Sequence, residues 1–298
     1  MSTYNGEKYL TQQLESILKQ DCGEKITIIV RDDGSTDSTC KILDKYKALG
    51  KLTWYTGENL GAARSFYSLI KDNPGYDYYA FADQDDYWEA DKIRCAVDML
   101  HSSEGAGPLL YFANAELVDS KLNGLGRCVY KRMPGTNLET LSAGGGILGC
   151  TIVFNKTLAE FIQRAEGIPG KIIMHDSYVS QLCMALGGKI IADERPHMKY
   201  RQHGNNVVGV SVTFADKLKN RLLGPFKKAK VSVAEQSGDI IKRFESSIGF
   251  SQMQILTQSA EYQKTLISRM RLAFSGKLCY SSRNIGLRNR ATILLGNK

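Results

Sequence analysis

Phe81-Ala82-Asp83-Gln84-Asp85-Asp86-Tyr87-Trp88 puts three carboxylates within four residues, directly after the apolar, aromatic run Tyr78-Tyr79-Ala80-Phe81-Ala82. Such a run predicts a buried strand with the acids at its carboxyl end. Crowding three negative charges there is costly unless a cation or a polar ligand shares the site. Hard oxygen donors of this kind suit Mg2+ or Mn2+, and Mg2+ is commonly shared between carboxylates and substrate phosphates. The plainer alternative is an acidic turn that caps the following helix. A calcium EF-hand fails on spacing: Tyr87 stands where an oxygen ligand is needed, Trp88 where glycine is needed, and Arg94 where the closing glutamate belongs.

The chain before this stretch alternates between strand and helix patterns. Leu10, Leu14, Ile17 and Leu18 form an amphipathic stripe over residues 6–20. Lys25 to Arg31 predicts a strand that breaks at Asp32-Asp33-Gly34-Ser35, and a helix follows from Thr36 to Leu49. A strand at Leu52–Thr56 and a helix carrying Phe66, Leu69 and Ile70 come next. This alternation predicts a mixed, mainly parallel sheet with helices on both faces, an α/β fold. Ligands of such sheets bind outside the carboxyl ends of strands, where Asp32-Asp33 and Asp83–Asp86 both fall. Only Met1-Ser2-Thr3 precede Tyr4-Asn5-Gly6, so the opening strand is expected to be truncated, with residues lost upstream.

Farther on, Leu109–Val118, Ile147–Phe154 and Lys189–Ala192 predict strands, and Thr157–Ala165 and Ser177–Leu186 predict helices. A glycine- and base-rich loop spans Lys121 to Gly135. Gly144-Gly145-Gly146 is no dinucleotide fingerprint, since no GxGxxG opens a helix there. From Phe214 the pattern is helical, with Leu218, Leu222, Leu223, Phe226, Ile240, Ile241 and Phe244 as apolar positions. The expected organisation is a domain over residues 1–212 and a basic helical region over 213–298.

With 298 residues, 43 % of them hydrophobic, the chain can bury a full core. Its net charge of +8 belongs to the tail: Lys217 to Lys298 holds sixteen Lys and Arg against four Asp and Glu, a net of +12. The first 216 residues carry a net of −4. A basic tail attracts nucleic acid or anionic lipid. Few aromatics in the tail and an acidic first part argue against nucleic acid. Seven scattered cysteines without CxxC pairs predict reduced thiols and a cytosolic setting.

The order Thr3-Tyr4-Asn5-Gly6, Asp32-Asp33-Gly34-Ser35-Thr36-Asp37, Asn59-Leu60-Gly61 and Asp83-Gln84-Asp85-Asp86, with His175-Asp176 and Tyr200-Arg201-Gln202-His203-Gly204-Asn205-Asn206, resembles inverting family 2 glycosyltransferases. These have the GT-A (Rossmann-like) fold, and the rhamnosyltransferase-like branch looks nearest. The matching motifs cover roughly residues 3–208, and each is weak without the others.

The resemblance implies roles. Thr3, Tyr4, Asn5, Asp32 and Asp33 would hold the nucleotide base, and Asp83 the ribose or its loop. Asp85, with Asp86 nearby, would ligate Mn2+ or Mg2+ bridging the diphosphate. His203 would contact the diphosphate or the metal, and Arg201 would assist with phosphate charge. Asp176 would be the base that deprotonates the acceptor hydroxyl, as inversion requires; the alternative for Asp176 is a helix N-cap.

The implied partners are a nucleotide-sugar, dTDP-rhamnose in the nearest branch, and a saccharide or lipid-linked saccharide acceptor of bacterial cell-surface polysaccharide synthesis. The basic region suits the inner face of the plasma membrane, a helical bundle, or a contact between copies in a homo-oligomer. Two alternatives use the same features: nucleotidyl transfer onto a sugar phosphate, and an inactive nucleotide-sugar- or membrane-binding module.

Overall fold

Leu10, Leu14 and Ile17 recur at helical spacing, and α1 (Leu10–Leu18) buries all three. Each such aliphatic side chain contributes roughly 1.5–3 kcal/mol when removed from water. The chain is described by a computed structural model covering residues 1–23, 25–103, 105, 107–202 and 229–298. It divides into two units, one of residues 1–129, 148–168 and 191–201, the other of residues 130–147, 169–190 and 202–298. Segments 130–147 and 169–190, expected with the first domain, thus belong with the second unit. The boundary expected at residue 212 lies outside the described residues.

In the first unit, β1 (Ser2–Thr3), β2 (Ile29–Asp32) and β3 (Thr53–Thr56) form a parallel sheet in that order. The opening strand is therefore present as two residues, with Ser2 opposite Arg31 and Thr3 opposite Asp32. The Met1 amine extends the pairing by donating to the Ile29 carbonyl at 2.8 Å. A cavity of about 650 Å3 lies alongside, lined among others by Ile28, Ile29, Tyr78, Ala80 and Val153. The helices α2 (Thr39–Ala48) and α3 (Ala62–Asp72) follow their strands as the alternation predicts, and α3 buries Phe66, Leu69 and Ile70.

The second sheet runs β4 (Tyr78–Ala80), β8 (Val153–Asn155), β6 (Leu109–Val118), β9 (Lys189–Arg201), β5 (Tyr87–Trp88), with β7 (Gly124–Cys128) on β6. The pairs β4·β8, β6·β8, β6·β7 and β5·β9 are antiparallel. The fold is mixed as expected, but the parallel share is smaller than the early alternation suggested. The reason is local: a turn at Asp119–Asn123 sends β7 straight back along β6, inside what had read as loop. Likewise the apolar run 147–154 is not one strand but a 3-10 turn (Gly149–Thr151) before a three-residue β8. The strand expected over Lys189–Ala192 continues through Pro196 to Arg201 as β9. Helices α4 (Lys92–His101) and α6 (Lys156–Arg164) complete this unit.

The second unit contains α5 (Leu138–Ser142), α7 (His175–Ala185), α8 (Val233–Phe244), α9 (Phe250–Ala260), α10 (Leu266–Ala273) and α11 (Arg283–Leu294). Ser232 and Glu235 close a capping box at the start of α8, which buries the expected Ile240 and Phe244. Leu218, Leu222, Leu223 and Phe226 lie outside the described residues. The core of this unit gathers Ala143, Val233, Tyr262, Leu272 and Ile293. The glycine run is packed here too: Gly144 has φ +78°, and a Cβ on it would collide with the Lys298 side chain.

Candidate active site

The loop leaving β2 is built by its own acids. Asp32 accepts the Thr3 hydroxyl at 2.8 Å, the Ser35 hydroxyl at 2.6 Å, and the Gly34 and Ser35 amides at 3.1 and 2.8 Å. Burial is the largest influence on its carboxyl and pushes it up, yet the hydrogen bonds from Ser35, Thr3 and Gly34 together outweigh burial and hold it below the ordinary range. Asp33 pairs with the buried Arg31 and accepts the Leu60 and Gly61 amides at 2.9 and 2.8 Å. That pairing fixes the Asn59-Leu60-Gly61 motif against the Asp32-Asp33 motif. Thr3, Asp32 and Asp33 are all buried, so they shape the loop that a nucleotide base would meet.

The surface of this loop is supplied by neighbours. Tyr4 is 50 % exposed. Asn5 donates its amide to Ser35 Oγ at 2.9 Å, and its side-chain oxygen accepts the Thr36 amide at 2.8 Å. Gln84 clasps the Tyr4 main chain: the Tyr4 amide donates to Gln84 Oε1 at 2.9 Å, and Gln84 Nε2 donates back to the Tyr4 carbonyl at 3.0 Å. This clasp brings the acid-bearing loop and the β1–α1 loop together. A Cβ on Gly6 would come within 2.2 Å of Gln84 Oε1, so the clasping amide would have to shift to admit one.

Within the acid-bearing loop the three aspartates differ. Asp83 and Asp85 are half-buried, reachable from solvent, and Asp86 has no exposed surface. Asp86 Oδ1 accepts the Arg201 amide at 3.1 Å. Burial first, then the charges of Asp85 and Asp83, push the Asp86 carboxyl well above its ordinary range. Asp86 nevertheless stays in reach of its neighbours: ligand-type atoms of Asp83, Asp86 and Cys150 all lie within 4.8 Å of one another. Lys92 Nζ lies 3.7 Å over the Trp88 ring, fully buried, and burial lowers its ammonium to about 8 against the pull of Cys150, Asp86 and Asp83. Trp88 is thus a packing residue, as its burial also shows.

Arg201 departs from its expected contact with phosphate. Its guanidinium is fully buried and donates to the carbonyls of Asp85 (2.7 Å) and Ser120 (2.6 Å) and to Gln12 Oε1 (2.9 Å), with Tyr9 4.3 Å beneath it. A guanidinium so enclosed braces the acid-bearing loop from within and has no surface for a phosphate. His203, expected on the same loop, lies outside the described residues.

Asp176 belongs to the second unit, half-buried in the first turn of α7. The N-cap position is taken by Met174, so Asp176 is not the cap; its Oδ1 accepts the adjacent Ser177 amide at 2.6 Å. His175 beside it is buried, which lowers its imidazole to about 3 and keeps it neutral. Sequence reading did not single out the clasping role of Gln84, or Lys92, Gln12 and Ser120. The signal available was the i, i+4 spacing of Trp88 and Lys92.

The fit of a divalent cation rests on the donor set. Asp83 and Asp85 are half-buried and offer carboxylate oxygens, suited to Mg2+ or Mn2+. The carboxylates of this loop are chemically suited to such an ion, and those whose oxygens converge are Asp83 and Asp86, beside Cys150.

Residues 1–157 match the family described as Glycosyl transferase family 2. The dTDP-rhamnosyl transferase RfbG of Shigella flexneri is 34 % identical over 234 residues, 74 % of this chain and 77 % of that protein. TarS of Staphylococcus aureus, a poly(ribitol-phosphate) beta-N-acetylglucosaminyltransferase, is 34 % identical over 34 % of this chain and 18 % of its own length. Its solved complex with UDP-GlcNAc superposes with a TM-score of 0.53 at 16 % identity, covering 99 % of this chain and 89 % of that one. A complex of GalNAc-T7 with UDP, GalNAc and Mn2+ reaches 0.51 at 11 % identity, over 75 % and 46 % of the two chains. These likenesses place the fold as GT-A.

Proposed function

The chain belongs to glycosyl transferase family 2, rhamnosyltransferase-like in its relatives, and from that premise we propose that it moves rhamnose from dTDP-rhamnose to a saccharide or lipid-linked saccharide in bacterial cell-surface polysaccharide synthesis. That it is a glycosyltransferase using a nucleotide-sugar and an acceptor follows from the family. The same membership decides against nucleotidyl transfer and a non-enzymatic module. The donor sugar rests on the 34 % identity to a dTDP-rhamnosyl transferase. The observation that carries the site is the Tyr4–Gln84 clasp, which joins the nucleotide-side loop to the acid-bearing loop.

In this reading Tyr4, Asn5 and the loop shaped by Asp32 and Asp33 receive the pyrimidine base, and Asp83 faces the ribose. A divalent ion held by Asp85 would offset the charge that builds on the departing nucleoside diphosphate. Arg201 and Gln84 keep the Asp85 loop in place, so its carboxylate is oriented before substrate arrives. Asp176 accepts the proton of the acceptor hydroxyl as that oxygen attacks the sugar carbon from the face opposite the leaving group. A panel of nucleotide-sugars tested for donor hydrolysis and transfer, with and without Mn2+, checks the assignment. Turnover of dTDP-rhamnose above other donors is the expected result, and preference for a UDP- or GDP-sugar overturns the donor assignment.

We also propose peripheral attachment to the cytoplasmic face of the membrane through the second unit. No helix among the described residues is long and apolar enough to cross a membrane. Yet α10 exposes Leu266 (63 %), Ile267 (71 %) and, at its end, Phe274 (61 %), beside Arg271, while the flanking Lys264 and Lys277 pair with Glu261 and Glu139 at 2.6 and 2.7 Å. An exposed apolar face with a base beside it suits an anionic lipid surface. A lipid-linked acceptor would be met there. Sedimentation with anionic vesicles at low salt, lost at high salt and in Ile267→Glu, is expected; no sedimentation overturns the proposal, and a concentration-dependent mass abolished by Ile267→Glu would instead assign the face to a second copy.

A further inference from the structure

Away from the acid-bearing loop, the start of α4 and the end of β9 bring together Asp91, Cys95 and His197, whose ligand-type atoms all lie within 4.8 Å of one another. His197 is almost fully buried, and each of its ring nitrogens faces a carboxylate: Nδ1 lies 3.1 Å from Asp91 Oδ2, and Nε2 lies 3.2 Å from Asp193 Oδ2. Asp193 is locked as an acceptor by Arg195, through Nε at 3.0 Å and Nη2 at 2.9 Å, and by the Tyr111 hydroxyl at 3.2 Å. Nε2 must therefore carry a hydrogen, and Nδ1, an acceptor whenever the ring carries that hydrogen alone, faces the Asp91 carboxylate. Two acceptors facing each other at this distance need a cation between them, either a proton or a metal.

Two further observations favour a metal. Asp91 stands at the N-cap of α4, yet its side chain makes no capping bond and instead meets His197 and Cys95, the latter with Sγ 3.6 Å from Oδ2. In a tetrahedral zinc site with bonds of about 2.0–2.3 Å, neighbouring ligand atoms are about 3.3–3.7 Å apart, close to the 3.1 and 3.6 Å found. The Asp193 carboxylate on the far ring nitrogen is the partner that metal-binding histidines commonly have. The Asp91 side chain is 39 % exposed, so an ion can enter and water can complete the coordination.

We propose that Asp91, Cys95 and His197 bind a zinc-class divalent ion through Oδ2, Sγ and Nδ1, with Asp193 orienting the ring. Binding replaces the Cys95 thiol proton and any proton on Nδ1, and both leave to solvent. A nitrogen, sulfur and oxygen set selects Zn2+ over the Mg2+ or Mn2+ suited to the carboxylates of the acid-bearing loop. The ion would fasten the residue that opens α4 to β9, four residues before Arg201.

The test uses the full chain stripped of metal, without nucleotide, titrated with Zn2+ against a chromophoric chelator and separately with Co2+. One equivalent of Zn2+ at micromolar or tighter affinity is expected. Co2+ should give tetrahedral visible bands with a thiolate charge-transfer band. Cys95→Ser and His197→Gln should lose the thiolate band and at least tenfold in Zn2+ affinity, and Asp85→Asn should keep both. Cys95→Ser is nearly isosteric and guards against a folding defect in the histidine variant. Absence of Zn2+ binding in the wild type, or unchanged binding in Cys95→Ser, overturns the proposal.

Discussion

Arg201 Nε donates to the main-chain carbonyl of Asp85 across 2.7 Å, joining residues 116 positions apart in the chain. The same residue's amide holds Asp86 at 3.1 Å, so one arginine fixes the main chain and a side chain of the acid-bearing loop. Lysine has one point charge and no fork with which to reach Asp85, Ser120 and Gln12 together. Arg201→Lys should cost about 2–4 kcal/mol of stability, from carbonyls left unmet, and lower kcat/KM at least tenfold. Thermal unfolding and initial rates measure both, and a variant matching wild type in both would remove Arg201 from the positioning role.

Gln84→Ala removes two hydrogen bonds of the Tyr4 clasp, a loss of about 1–3 kcal/mol that should appear mainly as a higher KM for donor. Gly6→Ala attacks the same clasp from the other side, since the added methyl would displace the Gln84 amide. Both variants should therefore weaken donor binding in parallel, measured by calorimetry with the nucleoside diphosphate. Unequal effects, with Gly6→Ala harmless, would show that the clasp does not set the donor loop.

Asp176→Asn should bind donor as wild type does while transfer falls by about two to four orders of magnitude, the span of general-base catalysis. Calorimetry with donor and a transfer assay separate the two effects. Retained transfer assigns the base elsewhere.

Burial lowers the His175 imidazole from 6.5 to about 3. The unfolded chain therefore binds a proton that the folded chain refuses, so stability is full above pH 6.5 and is lost as pH falls toward 3. The loss approaches roughly 4 kcal/mol at the acid end. Melting temperatures between pH 7.5 and 4 should fall for wild type and flatten for His175→Phe. Parallel profiles would mean that His175 is not the residue responsible.

The first half of the fold was legible because its helices carry apolar stripes and its strands end in acids: α1, α3 and the Tyr78 strand all stand where the residues suggested. The motifs that carry the family resemblance are contiguous, so sequence alone displays them. What stayed hidden depends on partners far along the chain. Arg201 looks like a phosphate ligand until β9 carries it under Asp85, and the burial of Asp86 beside Cys150 shows only once residues far along the chain close over it. β7 was hidden because its glycines and bases read as loop; pairing with β6 is what makes it a strand. His197 and Cys95 carry no motif spacing because one comes from a helix and the other from a strand about a hundred residues away.

The central claim, that Asp85 holds a divalent ion against the donor diphosphate, is tested most directly by nucleotide-sugar turnover in wild type and Asp85→Asn, with chelator and after Mn2+ is restored. The account predicts that chelator silences the wild type, that Mn2+ restores it, and that Asp85→Asn stays at least a hundredfold lower at any Mn2+ concentration. Full turnover in chelator, or an Asp85→Asn enzyme as fast as wild type, would contradict it.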